Sequence, residues 1–194
     1  MSTRTNSELR AMPRRVVTGI RNGKSVFLSD DAPPNAHCYA SIPGHMSSVI
    51  WATAPIPSLP LDQAEPAPPR VTIPPAPGAT RLMIVRFPPD SVFTSPDFNP
   101  EGAGPELAEH IPGLAECFEA HNPGMHTTDT IDYDIVLEGE IWLELDDGAE
   151  VHLRQGDVAI QCGTRHAWRN KGENSATLAF VLIGAVRDDQ GTLR

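Results

Sequence analysis

Gly124-Met125-His126-Thr127-Thr128-Asp129-Thr130-Ile131-Asp132-Tyr133-Asp134-Ile135-Val136-Leu137-Glu138-Gly139 is the stretch whose reading decides the fold. Successive side chains on a strand point to opposite faces. If the segment is extended, His126, Thr128, Thr130, Asp132 and Asp134 share one face, and Tyr133, Ile135 and Leu137 share the other. Either the polar series lines an internal cavity or it faces water. The chain that follows is almost entirely β in pattern, with strands expected at 130–137, 140–145, 149–154, 157–161, 165–169 and 175–184. Turns are expected at Glu138-Gly139, Asp146-Asp147-Gly148, Gln155-Gly156 and Lys171-Gly172-Glu173-Asn174. Short strands at this spacing mark a sandwich or a barrel. The run Ala176-Thr177-Leu178-Ala179-Phe180-Val181-Leu182-Ile183 is apolar on both faces, as in a strand covered on both sides. No internal repeat is evident, so the strands belong to one barrel.

Two motifs within these strands resemble those of the cupin superfamily. Gly124-x-His126-x-Thr128-x3-Asp132-x6-Gly139 is similar to the first cupin motif, and Gly156-Asp157 through Gly163-x2-His166-x3-Asn170 is similar to the second. The resemblance covers roughly residues 81–185. It implies an all-β, antiparallel jelly-roll barrel with its site inside. In the family three His and one Glu hold a metal. By position, His126 and His166 match two of those His, Asp132 stands at the Glu, and Thr128 replaces the remaining His. Gln161 replaces the Pro of the second motif, and the spacer before it is one residue short. The implied ligand set is therefore His126, Asp132 and His166, two His and one carboxylate, as in sites that hold iron with open positions. Fe, Mn, Zn and Ni are all candidates. Asp is a methylene shorter than Glu, and Asp129 is the alternative carboxylate if the strand is bulged there.

Upstream, residues 1–12 read as a polar tail. Residues 13–53 read as a β-rich arm: Val16–Ile20 and Ser25–Ser29 flank an Asn22-Gly23 hairpin turn, and a third strand is expected at 47–53. Residues 54–80 are dense in proline, which rules out helix and central strand and leaves a stiff connector. The barrel is expected over 81–186 and a tail over 187–194. Residues 105–120 carry helix formers divided by Pro112-Gly113, so two helical turns are expected as an insertion between strands. Such an insertion can act as a lid or be a plain surface excursion. Tyr133 is expected in the core, Trp142 and Trp168 in the barrel wall, Cys162 as a small buried apolar residue, and His37, His45, His110 and His121 in loops.

At 194 residues the chain suits one domain with an extension. Three cysteines without CxxC spacing suit a reducing compartment, and neither a secretory leader nor a run long enough to span a bilayer is present, so the expectation is cytoplasmic with no membrane partner. A net charge of −10 argues against nucleic acid. What remains is a small-molecule site, and three readings stay open. One is a metal-dependent oxidoreductase, dioxygenase, decarboxylase, isomerase or lyase acting on a small organic acid, phenol or polyketide-like compound. The second is a metal-free isomerase or dehydratase using His126 or His166 with Asp132 as acid and base. The third is a non-catalytic binding protein. The catalytic candidates are His126, Asp132 and His166, and the substrate-binding candidates are Thr128, Asp134, Gln161 and Trp168. The resemblance also implies strand-mediated pairing, so a homodimer is expected, with the N-terminal arm crossing to its partner.

Overall fold

A computed structural model describes residues 12–60 and 71–188. The expected tails at 1–12 and 187–194 and the middle of the proline-rich connector fall almost wholly outside that range. Eleven strands occur among the described residues: β1 (Arg15–Arg21), β2 (Lys24–Asp31), β3 (His37–Cys38), β4 (Met46–Thr53), β5 (Thr80–Phe87), β6 (Thr130–Glu138), β7 (Glu140–Glu144), β8 (Glu150–Arg154), β9 (Val158–Cys162), β10 (Ala167–Arg169) and β11 (Ala176–Gly184). Every pairing between them is antiparallel. Six strands form one sheet in the order β3-β4-β5-β11-β6-β9, three form a second in the order β10-β7-β8, and β1-β2 stand as a hairpin.

Local chemistry explains the turns. Asn22 and Gly23 both have positive φ, 52° and 75°, the geometry of the tight turn that matches strand twist. Gly139, between β6 and β7, has φ 77°, and a Cβ there would sit 2.8 Å from the Ser175 carbonyl oxygen, so no larger residue fits. β4 is hydrogen-bonded to β5 along most of its length and is a strand of the barrel sheet itself. Val71 and Ile73, in the last part of the proline-rich segment, are buried against Val49, Met83, Val85, Ile111 and Leu182. A second apolar cluster gathers Val136, Ile141, Leu153, Ala176 and Leu178.

The helical insertion starts earlier than its composition suggests. Helix α1 (Pro100–His110) is capped by the Asn99 side chain, which accepts from the Gly102 N–H, and Pro100 takes the first turn, where its missing N–H costs nothing. Gly113 then turns with φ 84° into a short 3-10 turn at Ala115–Cys117. The Glu106 carboxylate on α1 accepts from the backbone N–H groups of Ala40 and Ser41, from the Ser41 hydroxyl and from His37 Nε2. These bonds fasten the helix to the loop between β3 and β4. No helix among the described residues is long and apolar enough to cross a membrane.

Strand β6 is turned inside out relative to an ordinary amphipathic strand. Thr130, Asp132, Asp134 and Val136 are buried, while Ile131, Tyr133 and Leu137 are 41%, 43% and 41% exposed. The polar face of the decisive stretch is thus the inner one. Tyr133 is consequently not a core residue, because its even-numbered neighbours take the interior. Cys162 is exposed for the same reason: it is paired across the ladder with outward-facing Ile131.

Candidate functional site

A cavity of about 600 Å³ opens inside the barrel. Its polar end is built by two histidines brought from 40 residues apart in the chain. His126 and His166 form an isolated antiparallel bridge in which each backbone N–H donates to the other's carbonyl, at 3.0 and 2.9 Å. The bridge sets the two rings side by side, with centroids 4.3 Å apart. Each ring is also tied to its own loop, His126 Nδ1 to the Gly124 carbonyl at 3.0 Å and His166 Nδ1 to the Thr164 carbonyl at 2.9 Å. A carbonyl oxygen can only accept, so both Nδ1 atoms carry the proton in the neutral ring, and both Nε2 atoms carry a lone pair. Burial pushes the pKa of His126 down, and burial together with the neighbouring His126 pushes that of His166 down to about 4. Both rings are therefore neutral at pH 7 and present hydrogen-bond acceptors.

A hydroxyl relay leads from this end into the wall. Thr128 lines the cavity and meets Thr130 through their hydroxyls at 2.7 Å. The Thr130 hydroxyl in turn bonds to Asp132, which also lines the cavity. Burial raises the Asp132 carboxyl to about 6, against the pull of that Thr130 bond. Asp134, one pleat further along β6, is 1% exposed, and both its oxygens are buried without a partner among the described residues. Burial, reinforced by the charge of Asp132, lifts it to about 8.

Of the residues singled out in the sequence, His126, His166, Thr128, Asp132 and Trp168 all line the cavity. Asp134 and Gln161 lie in the wall, where the Gln161 amide oxygen accepts from the Thr164 hydroxyl at 2.5 Å and its amide nitrogen has no partner among the described residues. Asn170, which closes the second motif, is 1% exposed and pins the loop by donating to the Phe87 and Asn174 carbonyls. The expected three-ligand metal set is not assembled. Among the described residues no group of three or more His, Cys, Asp or Glu side chains is arranged to hold an ion. The two imidazoles supply two donors, Asp132 bonds to Thr130 while its Oδ1 stays buried without a partner among the described residues, and Asp129 is held by Arg187 at 2.5 Å. As arranged, the side chains offer two imidazole donors, short of the three protein ligands that an open metal site uses.

The rest of the lining is apolar and largely aromatic: Phe87, Phe93, Phe98, Phe118, Trp168 and Phe180, with Met83, Leu107, Leu114 and Leu182. Phe118 packs edge-on to His126 with centroids 5.0 Å apart. Ala103 and Leu107 of α1 also face the cavity, so the helical insertion forms part of its wall. His45 and Ser47 line it too. Nothing in the sequence marked His45, because its place at the cavity comes from β4 pairing with a strand more than thirty residues downstream.

No family profile matches the chain. Curated relatives match parts of it. The phomopsin biosynthesis cluster protein C' of Diaporthe leptostromiformis is 48% identical over 62 residues, 31% of this chain and 33% of that protein. The oryzines biosynthesis cluster protein J of Aspergillus oryzae is 34% identical over 94 residues, 48% of this chain and 49% of that protein. A cupin-domain-containing oxidoreductase of Hypocrea virens is 48% identical over 62 residues, 30% of this chain and 32% of that protein. Over the matched stretch the chain is thus similar to proteins named for a cupin domain. These matches span a third to a half of the relatives' own length. Among solved structures, a cupin with a double-stranded β-helix fold from Methanocaldococcus jannaschii overlaps at a TM-score of 0.35 and 12% identity, over 54% of this chain and 70% of that one. In this barrel β6 and the loop before it supply His126, Thr128 and Asp132, and the loop before β10 supplies His166.

Proposed function

We propose that the protein is a cupin-type enzyme that moves a proton on a small, largely apolar, ring-bearing organic molecule held in the barrel. The carrying observation is the locked His126–His166 pair: both Nδ1–H groups are used by loop carbonyls, which leaves two neutral Nε2 acceptors for a substrate hydroxyl. Asp132 is the proton-transfer group. A carboxyl near pH 6 is ionised at neutrality yet basic enough to take a proton from a held substrate, and general bases work best with a pKa near the operating pH. The Thr130 hydroxyl holds the carboxylate, and Thr128 bonds to Thr130 in turn. The aromatic lining excludes water, which strengthens each of these polar contacts. Isomerisation or dehydration is the reaction class this set can perform by itself. The relatives named as members of biosynthesis clusters support a substrate drawn from small-molecule biosynthesis.

An oxidoreductase is the second reading, favoured by the relatives so named. It requires a bound redox group in addition to the side chains that line the cavity. Screening small phenols, β-keto acids and hydroxy acids against the wild type and Asp132→Asn tests the proposal. Turnover that falls at least ~100-fold in the variant supports Asp132 as the proton-transfer group. Unchanged turnover in Asp132→Asn contradicts it.

We also propose that the protein forms a homodimer. Ile131, Tyr133, Val158 and Ile160 form an apolar patch on the outer face of β6 and its edge neighbour β9, with Tyr133 directly opposite Ile160 in the ladder. A contiguous apolar patch on a sheet face suits burial against a second copy.

A further inference from the structure

The cavity carries a second polar spot that the proton-transfer reading leaves unused. His45 lies just before β4, after a turn in which Gly44 has φ 85°. One of its ring nitrogens bonds to the backbone of Arg86. A bond that favours the protonated ring is one the ring donates, so the carbonyl is the acceptor and the second ring nitrogen keeps its lone pair. Burial holds the ring pKa down at about 4, so it is neutral at pH 7. His45 makes no other side-chain hydrogen bond among the described residues, and its ring lines the cavity. Beside it Ser47, only 3% exposed, lines the same wall and meets the Tyr39 hydroxyl at 2.9 Å. When Tyr39 donates in that pair, the Ser47 hydroxyl is left to donate to a guest.

A tiled aromatic wall joins this spot to the histidine pair. His45 contacts Phe87 with ring centroids 5.9 Å apart, Phe87 contacts Phe180 at 6.1 Å, Phe180 contacts Trp168 at 5.7 Å, and Trp168 contacts His166 at 6.2 Å. Three apolar rings thus separate His45 from His166 along one continuous surface. Aromatic faces and edges of this kind favour a flat, ring-bearing guest. A cavity of about 600 Å³ has room for one of two or three rings.

We propose that His45 and Ser47 form a second polar subsite, so that the cavity takes an elongated, flat, ring-bearing molecule with a hydroxyl at each end, one on the His126–His166 pair and the other on His45. This rests on the reading of the cavity as a small-molecule site and adds the shape and polarity of the guest. A molecule with one polar end leaves one acceptor site unpaired, and an unpaired buried polar group lowers affinity.

Titration calorimetry on the full chain tests it, with 4,4'-dihydroxybiphenyl and 4,4'-dihydroxystilbene as two-ended probes and 4-hydroxybiphenyl and 4-hydroxystilbene as one-ended controls. The wild type is expected to bind at least one two-ended probe about tenfold more tightly than its control, the effect of one further hydrogen bond. In His45→Phe that ratio falls to about one. Ser47→Ala, a smaller change that keeps the β4–β5 packing, is expected to lower the ratio about threefold and carries the test if His45→Phe does not fold. A wild-type ratio of one at both probe lengths, or a ratio unchanged in the variants, overturns the second subsite while the first site stands. Failure of all four probes to bind overturns the subsite and the small-molecule reading together.

Discussion

At the scale of the residue, the site depends on which atoms are already committed. His126 and His166 spend their Nδ1 protons on carbonyls two residues back, so their chemistry is that of acceptors. Asp132 then sets the pH behaviour. Its carboxyl, raised to about 6, must be ionised to act as base, so kcat/KM is expected to rise with pH up to about 6 and level off above it. A rate profile flat from pH 5 to 8 contradicts that assignment. Asp134 has a different consequence. Its folded-state pKa, about 8, lies above the ordinary carboxyl value of 3.8, so the folded protein keeps a proton that the unfolded chain releases. The resulting cost is absent below about pH 4 and grows as pH rises through that window. Asp134→Asn, nearly isosteric and uncharged, is expected to stabilise the fold by about 2 kcal/mol at pH 8, with the gain shrinking toward pH 4. Urea denaturation at the two pH values measures it. The positions of His126, Asp132 and His166 were legible in the sequence, because strand parity and the paired motifs place them together. The Thr128–Thr130–Asp132 relay was not, since alternation tells which face a hydroxyl takes and not which neighbour it bonds.

Among the elements, α1 and strand β4 shape the cavity most. α1 puts Ala103 and Leu107 in the cavity wall, and its Glu106 carboxylate ties it to residues 37–41. Burial alone would raise Glu106, but bonds from Ser41, Ala40 and His37 outweigh it and hold the carboxyl down at about 2. The attachment is therefore intact across the neutral range and is lost only as pH falls to that value. Glu106→Gln keeps the shape but weakens the charge-assisted bonds to the Ala40 and Ser41 N–H groups. Amide hydrogen exchange over residues 100–117 is expected to speed up about tenfold in the variant, with β6 and β11 unaffected. Equal protection in both proteins shows that the helix is held by its apolar contacts instead. The strand spacing from 130 to 184 could be read locally from turn residues and alternation. The start of α1 at Pro100 could not be read from helix formers alone, because it depends on the Asn99 cap and a proline suited to the first turn. The place of β4 was equally hidden, since antiparallel pairing with β5 across a long connection leaves no local trace.

At the scale of the whole molecule, the barrel buries a polar strand face and turns an apolar one outward. That inversion defines the cavity and leaves the β6–β9 patch in search of cover. The expected outcome is a homodimer: light scattering should give twice the chain mass of 21.0 kDa at micromolar concentration, and Tyr133→Arg with Ile160→Lys should return it to one. A monomeric wild type contradicts that proposal and leaves the cavity unaffected. Tyr133 and Cys162 show why the outward face was hard to foresee. A Tyr in a β-branched run reads as core on composition, and only the burial of Thr130, Asp132 and Asp134 on the opposite face forces it out. Inside the barrel the proposed chemistry is that of a neutral histidine pair and one carboxyl, with no resident metal taking part. Elemental analysis of the untagged protein, purified after growth with iron, manganese, zinc and nickel, tests it most directly. Far less than one equivalent of any of these metals is expected in protein that turns over or binds its guest, whereas a full equivalent that disappears in His126→Ala and His166→Ala would contradict the metal-free proposal.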